Sequence, residues 1–403
     1  MRRVLMLAYA FPPLGGAGVQ RTLKFVKYLP EHGWEPTVVS VRWSAYQMRD
    51  PSLARELPPG LRLLRAPELP VTPYLAMALS KLRLDRARAF VTWPDSFQGW
   101  LPAAVALGLR EIRRTKPEVL YTTSAPYVSH LAGLALHRLT GIPWVADFRD
   151  EWAANPHLRE APLRGLTLRA ERAVTAAAHV VVVGDYFEIA GSRPDARTTI
   201  TNGVDADDLA GLPAPDPPHD RFRLTHVGTL YGDQDAAPVV AALRRLLDRG
   251  ELDRARVELR VVGSVYLPEG ALDMPIPVSR EGYVSHHEAL LEMRRASALL
   301  LYVAPSSLAP SGKLFEYLTS ERPVLCVARP DGLAHQLVRD WDAGAAADPQ
   351  DGAAIERAIM ELYRRWEGGR LDAPPGLRER TLDRFSRRAL TGRLASVLTQ
   401  VAG

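Results

Sequence analysis

The sequence predicts an α/β protein with two domains, each built on a parallel sheet. The chain has 403 residues, which is enough for two domains of ordinary size. Short apolar runs typical of buried strands alternate with segments whose apolar residues recur at helical spacing, the pattern of a sheet covered by helices on both faces. The alternation is interrupted by the proline-rich stretch LPAPDPPHD (212–220) and then begins again.

The first half opens with a buried strand, Val4–Ala8, followed by a helix over 15–29 in which Val19, Leu23 and Val26 share one face. Further strands are predicted at 36–41, 118–123, 142–148 and 178–184, with helices at 128–139 and 167–179 and an Asn-Gly turn at 199–203. In an open parallel sheet, ligands bind outside the carboxyl ends of the strands. We therefore expect site residues in the loops that follow these strands.

The second half repeats the pattern. Strands are predicted at 223–227, 257–262, 298–303 and 324–327, with helices at 238–249 and 287–295. The predicted organisation is an amino-terminal domain (1–205), a linker (206–220), a carboxyl-terminal domain (221–375) and a helical tail (376–403) that packs back across both domains. The two α/β domains would face each other across a substrate cleft.

Composition restricts the compartment and the partners. Cys326 is the only cysteine, so no intrachain disulfide forms, and the apolar run at the amino terminus stops at Ala10, too early for a signal peptide. No apolar stretch approaches the roughly 20 residues that cross a bilayer. These features favour the cytoplasm. The net charge of +5 favours an anionic partner, but no nucleic-acid motif accompanies it, so we expect no nucleic acid.

Two glycine-containing segments can carry chemistry. In FPPLGGAGVQR (11–21), Gly15 and Gly16 lie between a strand and a helix, where backbone N–H groups can approach an anion. The alternative is a tight turn, and the spacing departs from the G-x-G-x-x-G pattern of nicotinamide enzymes.

The second segment is PSSLAPSGKLFEYL (305–318). Here Ser311 is a candidate N-cap, Gly312 permits close approach, and Lys313 places a cation beside the first turn of a helix, so that a pyrophosphate would fit. Glu316 lies one turn later and could accept hydrogen bonds from ribose hydroxyls; the alternative is an i,i+3 surface salt bridge.

Five segments together resemble glycosyltransferase family 4. They are SGKLFEYLTSERPVL (311–325), the opening run 8–40, SAPYVSHLAGLALHRLTGIPWVADFRDEW (124–152), VGTLYGDQDAAPVVAAL (227–243) and EGYVSHHEALLEMRRASALLL (281–301). The resemblance implies a GT-B fold of two Rossmann-like domains. It also implies an NDP-sugar donor bound mainly by the carboxyl-terminal domain, an acceptor held by the amino-terminal domain, and no cofactor or metal.

The resemblance also assigns residues. Lys313, Glu316 and Arg149 are the candidate catalytic residues, and Ser124, Asp147, Arg149 and Asp150 are the candidate acceptor-binding residues. The candidate donor-binding residues are Gly15, Gly16, Gly228, Thr229, Tyr283, Val284, Ser311, Gly312, Lys313, Leu314 and Glu316. For Asp147, Arg149 and Asp150, the alternative is a local arginine–carboxylate network that shapes a loop.

The chain departs from the family pattern in two places. Leu308 replaces a glutamate expected eight positions before Glu316, and the loop 229–234 carries no cation where relatives supply two. Lys313 thereby becomes the leading cation for the diphosphate.

The interpretation favoured by these observations is a retaining glycosyltransferase of the hexosyltransferase type, acting on a glycan, a lipid-linked intermediate or a small natural product. The alternatives are an NDP-sugar 2-epimerase and a non-catalytic partner subunit of the same fold.

Basic and apolar residues mix in KLRLDRARAF (81–90) and LRGLTLRAERAV (163–174). Such faces can contact anionic lipid at the inner face of the membrane, or can be solvated basic surfaces.

Overall fold

The structure is a computed structural model that describes residues 1–42, 49–69, 71–155, 163–232, 236–305, 308 and 312–403. The chain divides into two compact units. The first comprises Met1–Asn202 and Arg387–Gly403, and the second comprises Gly203–Ser386. Both units are α/β, as the alternation of strands and helices predicts.

The first unit is built on a parallel sheet of seven strands. These are β1 (Arg2–Leu7), β2 (Trp34–Val41), β3 (Arg62–Ala66), β4 (Val119–Ser124), β5 (Trp144–Phe148), β6 (His179–Val182) and β7 (Arg197–Thr199), in the order β3-β2-β1-β4-β5-β6-β7. Its helices are α1 (Ala17–Tyr28), α2 (Val71–Lys81), α3 (Asp85–Val91), α4 (Leu101–Thr115), α5 (Val128–Thr140) and α6 (Arg164–Ala177). Every residue of β4 and β5 is buried, because central parallel strands are covered on both faces.

The second unit is built on a parallel sheet of six strands and a small two-stranded ladder. The strands are β8 (Phe222–Val227), β9 (Leu230–Tyr231), β10 (Val257–Val262), β11 (Val265–Tyr266), β12 (Val278–Glu281), β13 (Ala298–Tyr302), β14 (Val324–Val327) and β15 (Gly344–Ala347). The large sheet has the order β12-β10-β8-β13-β14-β15, and β9 pairs with β11. The helices are α7 (Ala237–Asp248), α8 (His286–Arg294), α9 (Lys313–Thr319), α10 (Leu333–Asp340), α11 (Gly352–Glu367) and α12 (Leu377–Phe385), and α13 (Arg387–Ala402) ends the chain.

Both large sheets reverse their strand order at one place. In the first unit the reversal lies between β1 and β4, and in the second it lies between β8 and β13. At such a switch point the loops that follow the two neighbouring strands diverge and leave a crevice at the carboxyl edge of the sheet. Each unit therefore contains one topologically favoured place for a ligand.

The proline-rich stretch predicted as a linker lies within the second unit. The Arg294 Nε donates to the carbonyl of Pro213 at 2.7 Å, and the Asp216 N–H donates to the Arg294 carbonyl at 3.2 Å. The preceding Leu209 is buried in the core of that unit. The prolines thus follow the surface of the second unit, because their neighbours are fixed to α8.

The two terminal helices belong to different units. Phe385 of α12 packs against Phe315 of α9, with the ring centroids 4.7 Å apart. Leu390, Leu394 and Leu398 of α13 are buried in a core that they share with α1. The break between the two helices falls at Ser386, which has an extended backbone.

Candidate functional site

Lys313 and Gly228 meet at the switch point of the second unit. Gly228 follows β8 directly with φ 134°, and its N–H donates to the Val262 carbonyl at 2.7 Å. A β-carbon built on Gly228 would lie 2.0 Å from the Lys313 Nζ and 1.9 Å from its Cε. Any other residue at 228 would therefore displace the lysine side chain. The sequence analysis named Gly228 only as a candidate donor-binding residue, and the structure brings it against Lys313, the candidate catalytic cation.

The surroundings of Lys313 lower its pKa but leave it charged at neutral pH. Burial lowers the pKa to about 8, while the nearby Glu316 carboxylate acts in the opposite direction. His226, at the end of β8, contributes no charge, because burial and then Lys313 lower its pKa to about 3. The neutral His226 donates its Nδ1–H to the Leu300 carbonyl at 3.1 Å. Lys313 thus places a positive charge beside the backbone of the loop after β8.

Tyr317 fixes the helix that carries Lys313. Its hydroxyl accepts the N–H of Val227 at 2.9 Å, which ties the middle of α9 to the end of β8. Lys313 begins α9 one turn earlier and is thereby held over Gly228. Glu316 is half-buried, and Leu314 is fully buried, so only the backbone of Leu314 is placed for a ligand.

The start of α9 differs from the prediction by one residue. Gly312, rather than Ser311, occupies the N-cap position, with φ −53° and ψ −27°. Ser311 itself lies outside the described residues. Asp233 and Gln234, in the loop 229–234 that carries no cation, also lie outside them. Leu308 is described, and its carbonyl oxygen lies 3.9 Å from the position of a β-carbon on Gly332.

The remaining donor-binding candidates fall into two groups. Thr229 is half-buried and directly follows Gly228, whereas Tyr283 is 58% exposed after β12 and Val284 packs against the core of the second unit. Gly15 and Gly16 belong to the first unit, where Gly16 is the N-cap of α1 with φ 98°. The alternative interpretation of this segment was a tight turn, and a tight turn requires a positive φ such as that of Gly16. Donor binding by these residues stays a prediction.

Arg149 occupies the switch point of the first unit, one residue after β5. Its Nε donates to the Ser124 carbonyl at 2.5 Å, and its two terminal nitrogens donate to the carbonyls of Gly18 and Ala125. A β-carbon on Gly18 would lie 2.4 Å from Nη1, so glycine is needed where α1 passes the guanidinium. Three backbone carbonyls from the segments after β1 and β4 therefore hold this cation in place.

Asp147 lies beneath Arg149 in a fully buried network. The Arg21 guanidinium donates to both of its carboxylate oxygens at 2.8 and 2.9 Å, and the Tyr121 hydroxyl donates to Oδ2 at 2.7 Å. Burial alone would raise the pKa of Asp147, but Arg21 lowers it below its usual value. The carboxylate has no exposed surface. Asp147 thus pairs with the distant Arg21 and not with Arg149, its neighbour in the local network expected as the alternative to acceptor binding, and Asp150 is exposed. Acceptor binding by these residues stays a prediction.

Beside Arg149 lies a cavity of about 240 Å³ whose walls are mainly aromatic and aliphatic. Its lining residues include Tyr9, Phe97 and Tyr127. The Tyr9 hydroxyl donates to the Glu68 carboxylate at 2.7 Å, and the Tyr127 hydroxyl donates to the Glu151 carbonyl at 2.6 Å. These two hydroxyls are committed to the protein, so the rings present apolar surface to the cavity.

Asp95 is the acidic group in the wall of this cavity. Its two oxygens accept the N–H groups of Phe97 and Val128, each at 3.0 Å, while burial raises its pKa. Ser124 is fully buried, and its hydroxyl has no hydrogen-bond partner within the described part of the chain. The lining of the cavity thus combines aromatic surface with Asp95 and Arg149.

Sequence reasoning did not identify Tyr9, Asp95 or Phe97. Tyr9 follows the first strand of the sheet, where switch-point residues are expected, and this position was the available signal. Asp95 and Phe97 lie in TWPDSFQGW (92–100), whose Pro-Asp pair indicates a turn rather than a site. The tertiary structure alone brings them to the end of β1.

Three solved structures show what this fold is similar to. Sucrose-phosphate synthase from Thermosynechococcus elongatus has a TM-score of 0.68 and 16% identity, and the match covers 100% of this chain and 99% of that chain. An E. coli trehalose-6-phosphate protein bound with UDP-2-fluoro glucose gives 0.65 and 9%, with 99% of each chain covered. The lipopolysaccharide outer core galactosyltransferase WaaB gives 0.59 and 14%, again with 99% of each covered.

These likenesses show that the chain has the GT-B fold, as predicted. No family model matches the chain, and no curated protein matches its sequence. Membership of glycosyltransferase family 4 therefore stays a prediction based on the five quoted segments.

Proposed function

We propose that this protein is a retaining glycosyltransferase that moves a sugar from an NDP-sugar to a hydroxyl group of an acceptor. The observation that carries the proposal is the contact of Lys313 with Gly228 at the switch point of the second unit. A half-buried lysine beside a glycine backbone is suited to a phosphate, because residue 228 has no side chain to separate the charge from the ligand. The GT-B fold, shared with sugar-transferring enzymes, supports the same reaction class.

In the proposed mechanism, catalysis depends on positioning and on stabilising negative charge as the diphosphate departs. Lys313 and the first backbone N–H groups of α9 would face the diphosphate oxygens, and Glu316 would accept hydrogen bonds from the ribose. Removing one donor aimed at developing charge typically lowers turnover by about 100- to 1000-fold. The bond between the anomeric carbon and the diphosphate would break, and the acceptor oxygen would bond to that carbon on the same face. The acceptor proton would pass to the departing phosphate oxygen.

The acceptor would bind in the first unit, in the cavity beside Arg149. The fixed guanidinium of Arg149 and the Asp95 carboxylate offer polar contacts at the rim, while Tyr9, Phe97 and Tyr127 offer apolar surface. A lipid-linked or small natural-product acceptor suits this lining better than a free glycan, because sugars need several hydrogen-bonding groups.

The proposed compartment is the cytoplasm, in keeping with the single cysteine, Cys326.

The first experiment identifies the donor. UDP-, GDP- and dTDP-sugars are screened for a rise in melting temperature, because a ligand that binds only the native state stabilises it. The cognate donor is then incubated with a panel of hydroxyl acceptors, with and without EDTA. We expect transfer with retention at the anomeric carbon and no loss in EDTA, since the proposed site neutralises the diphosphate with protein groups.

The Lys313→Ala variant tests the assignment of the cation. We expect about 100-fold or greater loss of kcat/KM for the cognate donor, with an unchanged fold by circular dichroism. Arg357→Ala is the matched control, because Arg357 is a cation of the second unit whose side chain is 72% exposed. Normal turnover by Lys313→Ala would exclude this lysine from the donor site.

A non-catalytic role is the second candidate, since Leu308 stands where the family resemblance implies a glutamate. It would be supported if an NDP-sugar stabilised the protein but no acceptor in the panel was glycosylated. Formation of an epimerised sugar from the donor alone would instead support the 2-epimerase alternative. The three outcomes are distinguished by analysing the sugar product of the same incubation.

A further inference from the structure

The helical hairpin formed by α2 and α3 exposes an unusual amount of apolar side chain. Among the described residues, seven of the twelve exposed large hydrophobic side chains lie between residues 69 and 90. They are Leu69, Tyr74, Leu75, Met77, Leu82, Leu84 and Phe90. A concentration of this kind on a protein surface marks a site of interaction, whereas isolated exposed hydrophobics are ordinary.

The hairpin has no core of its own. None of residues 74–91 is buried, and α3 contributes no buried side chain at all. Helices as short as α2 and α3, with 11 and 7 residues, gain most of their stability by packing an apolar face against something else. The exposed face of this hairpin is therefore suited to an external partner.

The charges on the hairpin indicate the chemistry of that partner. Residues 81–90 contain Lys81, Arg83, Arg86 and Arg88 but a single acid, Asp85, which lies 3.6 Å from Arg88. All four cations are exposed. The excess positive charge favours an anionic surface and opposes the approach of a second copy of the same hairpin.

Cations and apolar side chains also share faces of the helices. Tyr74, Met77 and Lys81 are three and four residues apart on α2, and Arg86 and Phe90 are four residues apart on α3, so each set projects from one side. Long basic side chains can extend to lipid phosphates while neighbouring apolar side chains enter the acyl boundary. A protein surface would need to offer matching apolar and acidic groups at each position, whereas an anionic bilayer offers both everywhere.

We propose that the α2–α3 hairpin docks this protein on an anionic lipid surface without crossing it. Within the described chain, no helix has the length and apolar character needed to span a bilayer. The hairpin runs directly into the turn that brings Asp95 and Phe97 to the wall of the cavity in the same unit. Docking would hold this cavity next to the lipid, where a lipid-borne hydroxyl could reach it. The inference goes beyond the proposed function, and vesicle binding tests it without a transfer assay.

The test is sedimentation of the full-length protein with vesicles of phosphatidylcholine containing phosphatidylglycerol, compared with vesicles of phosphatidylcholine alone. We expect binding to the anionic vesicles only, and release at high salt because screening weakens the attraction. Each basic residue near an anionic surface contributes roughly fivefold to affinity. The triple variant Lys81→Glu, Arg83→Glu, Arg86→Glu should therefore lose about 100-fold in affinity or more.

Matched controls separate docking from a general effect of charge or surface apolarity. The variant Arg110→Glu, Arg113→Glu, Arg114→Glu changes charge equally on α4 of the same unit, and it should bind the anionic vesicles like the unmodified protein. Met77→Ser with Phe90→Ser should weaken binding at least tenfold, whereas Leu139→Ser, at a side chain that is 63% exposed on α5, should leave binding unchanged.

Three results would overturn the proposal. One is equal binding to the neutral and anionic vesicles, and another is full binding by the Lys81, Arg83 and Arg86 variant. The third is a lipid-free dimer, measured by light scattering, that dissociates in the Met77 and Phe90 variant, because the apolar face would then be covered by a second copy. Melting curves of all variants verify that each remains folded.

Discussion

The two units use the same sheet order but place different kinds of cation at their switch points. In the first unit, Arg149 is fixed by three backbone carbonyls and lies above the buried pair of Arg21 and Asp147. In the second unit, Lys313 lies against the bare backbone of Gly228. The first arrangement uses most of the arginine's hydrogen-bonding capacity on backbone carbonyls, whereas the second places an ammonium group at the first residue of α9.

The comparison shows that the order of the strands determines where a site can lie but not which side chains it contains. A guanidinium has five donors in a fixed plane, so three carbonyls can orient it while its outer edge faces the cavity. An ammonium on a flexible stem is a compact charge that moves its pKa readily on burial, as the value of about 8 for Lys313 indicates. We therefore expect the first switch point to be a rigid support for the acceptor and the second to respond to charge.

The largest expected effect is the loss of stability when the buried pair of Arg21 and Asp147 in the first unit is broken. Asp147→Ala leaves the Arg21 guanidinium buried and without its carboxylate, and breaking such a pair costs about 3–5 kcal/mol. The measurement is the free energy of unfolding in denaturant, followed by tryptophan fluorescence, to which the buried Trp34, Trp100, Trp144 and Trp152 of the first unit contribute.

Two variants control this prediction. Asp85→Ala, in the same unit, removes an exposed carboxylate that lies 3.6 Å from Arg88, and it should cost less than about 1 kcal/mol. Replacing both buried partners, as Arg21→Met with Asp147→Leu, should recover much of the lost stability because no charge then remains unpaired. A small effect of Asp147→Ala would mean that the first switch point does not depend on this network.

The second-largest effect is expected at Gly228, where a side chain would strain the backbone and also displace Lys313. Measuring both stability and nucleotide affinity distinguishes these two consequences. Gly228→Ala should destabilise the second unit by roughly 1–3 kcal/mol through its left-handed φ, and it should also push Lys313 away and weaken nucleotide binding about tenfold or more. Gly250→Ala is the matched control, because Gly250 has φ 70° with no atom within 4 Å of a β-carbon. The control should lose stability and keep its nucleotide affinity, measured by titration calorimetry; a loss of affinity in both variants would contradict the displacement.

The fold was predicted from the sequence, which also selected Lys313 as a candidate whose role stays a prediction. The strand at 257–262 (VELRVV) was predicted with its observed bounds, since three valines and a leucine in six residues are typical of a strand. Lys313 was identified because its neighbours in sequence, Gly312 and Glu316, are also its neighbours in space. Local pattern therefore sufficed to select Lys313, but it did not predict the contact with Gly228, which follows a different strand, β8.

The first switch point was less accessible to sequence reasoning because its residues are distant in the chain. Arg21 was read only as part of a glycine-rich segment, yet it bonds to Asp147, which is 126 positions away. The cavity brings together Tyr9, Asp95 and Tyr127 from three separate segments. Such contacts depend on the order of the strands, which the sequence pattern does not specify, and for that reason the aromatic wall was not predicted.

The smallest expected effect is a change of donor affinity with pH, which arises from the titration of Lys313. With a pKa of about 8, lowered by burial, Lys313 is mainly protonated at pH 7 and loses its charge as the pH rises through 8. Affinity for the cognate NDP-sugar should therefore be high below pH 8 and fall by up to about tenfold by pH 9. Lys313→Arg stays charged across this range, so its affinity should be constant between about pH 7 and 9. Parallel declines in both proteins would assign the titration to another group, and a constant affinity in the unmodified protein would mean that Lys313 does not face the diphosphate.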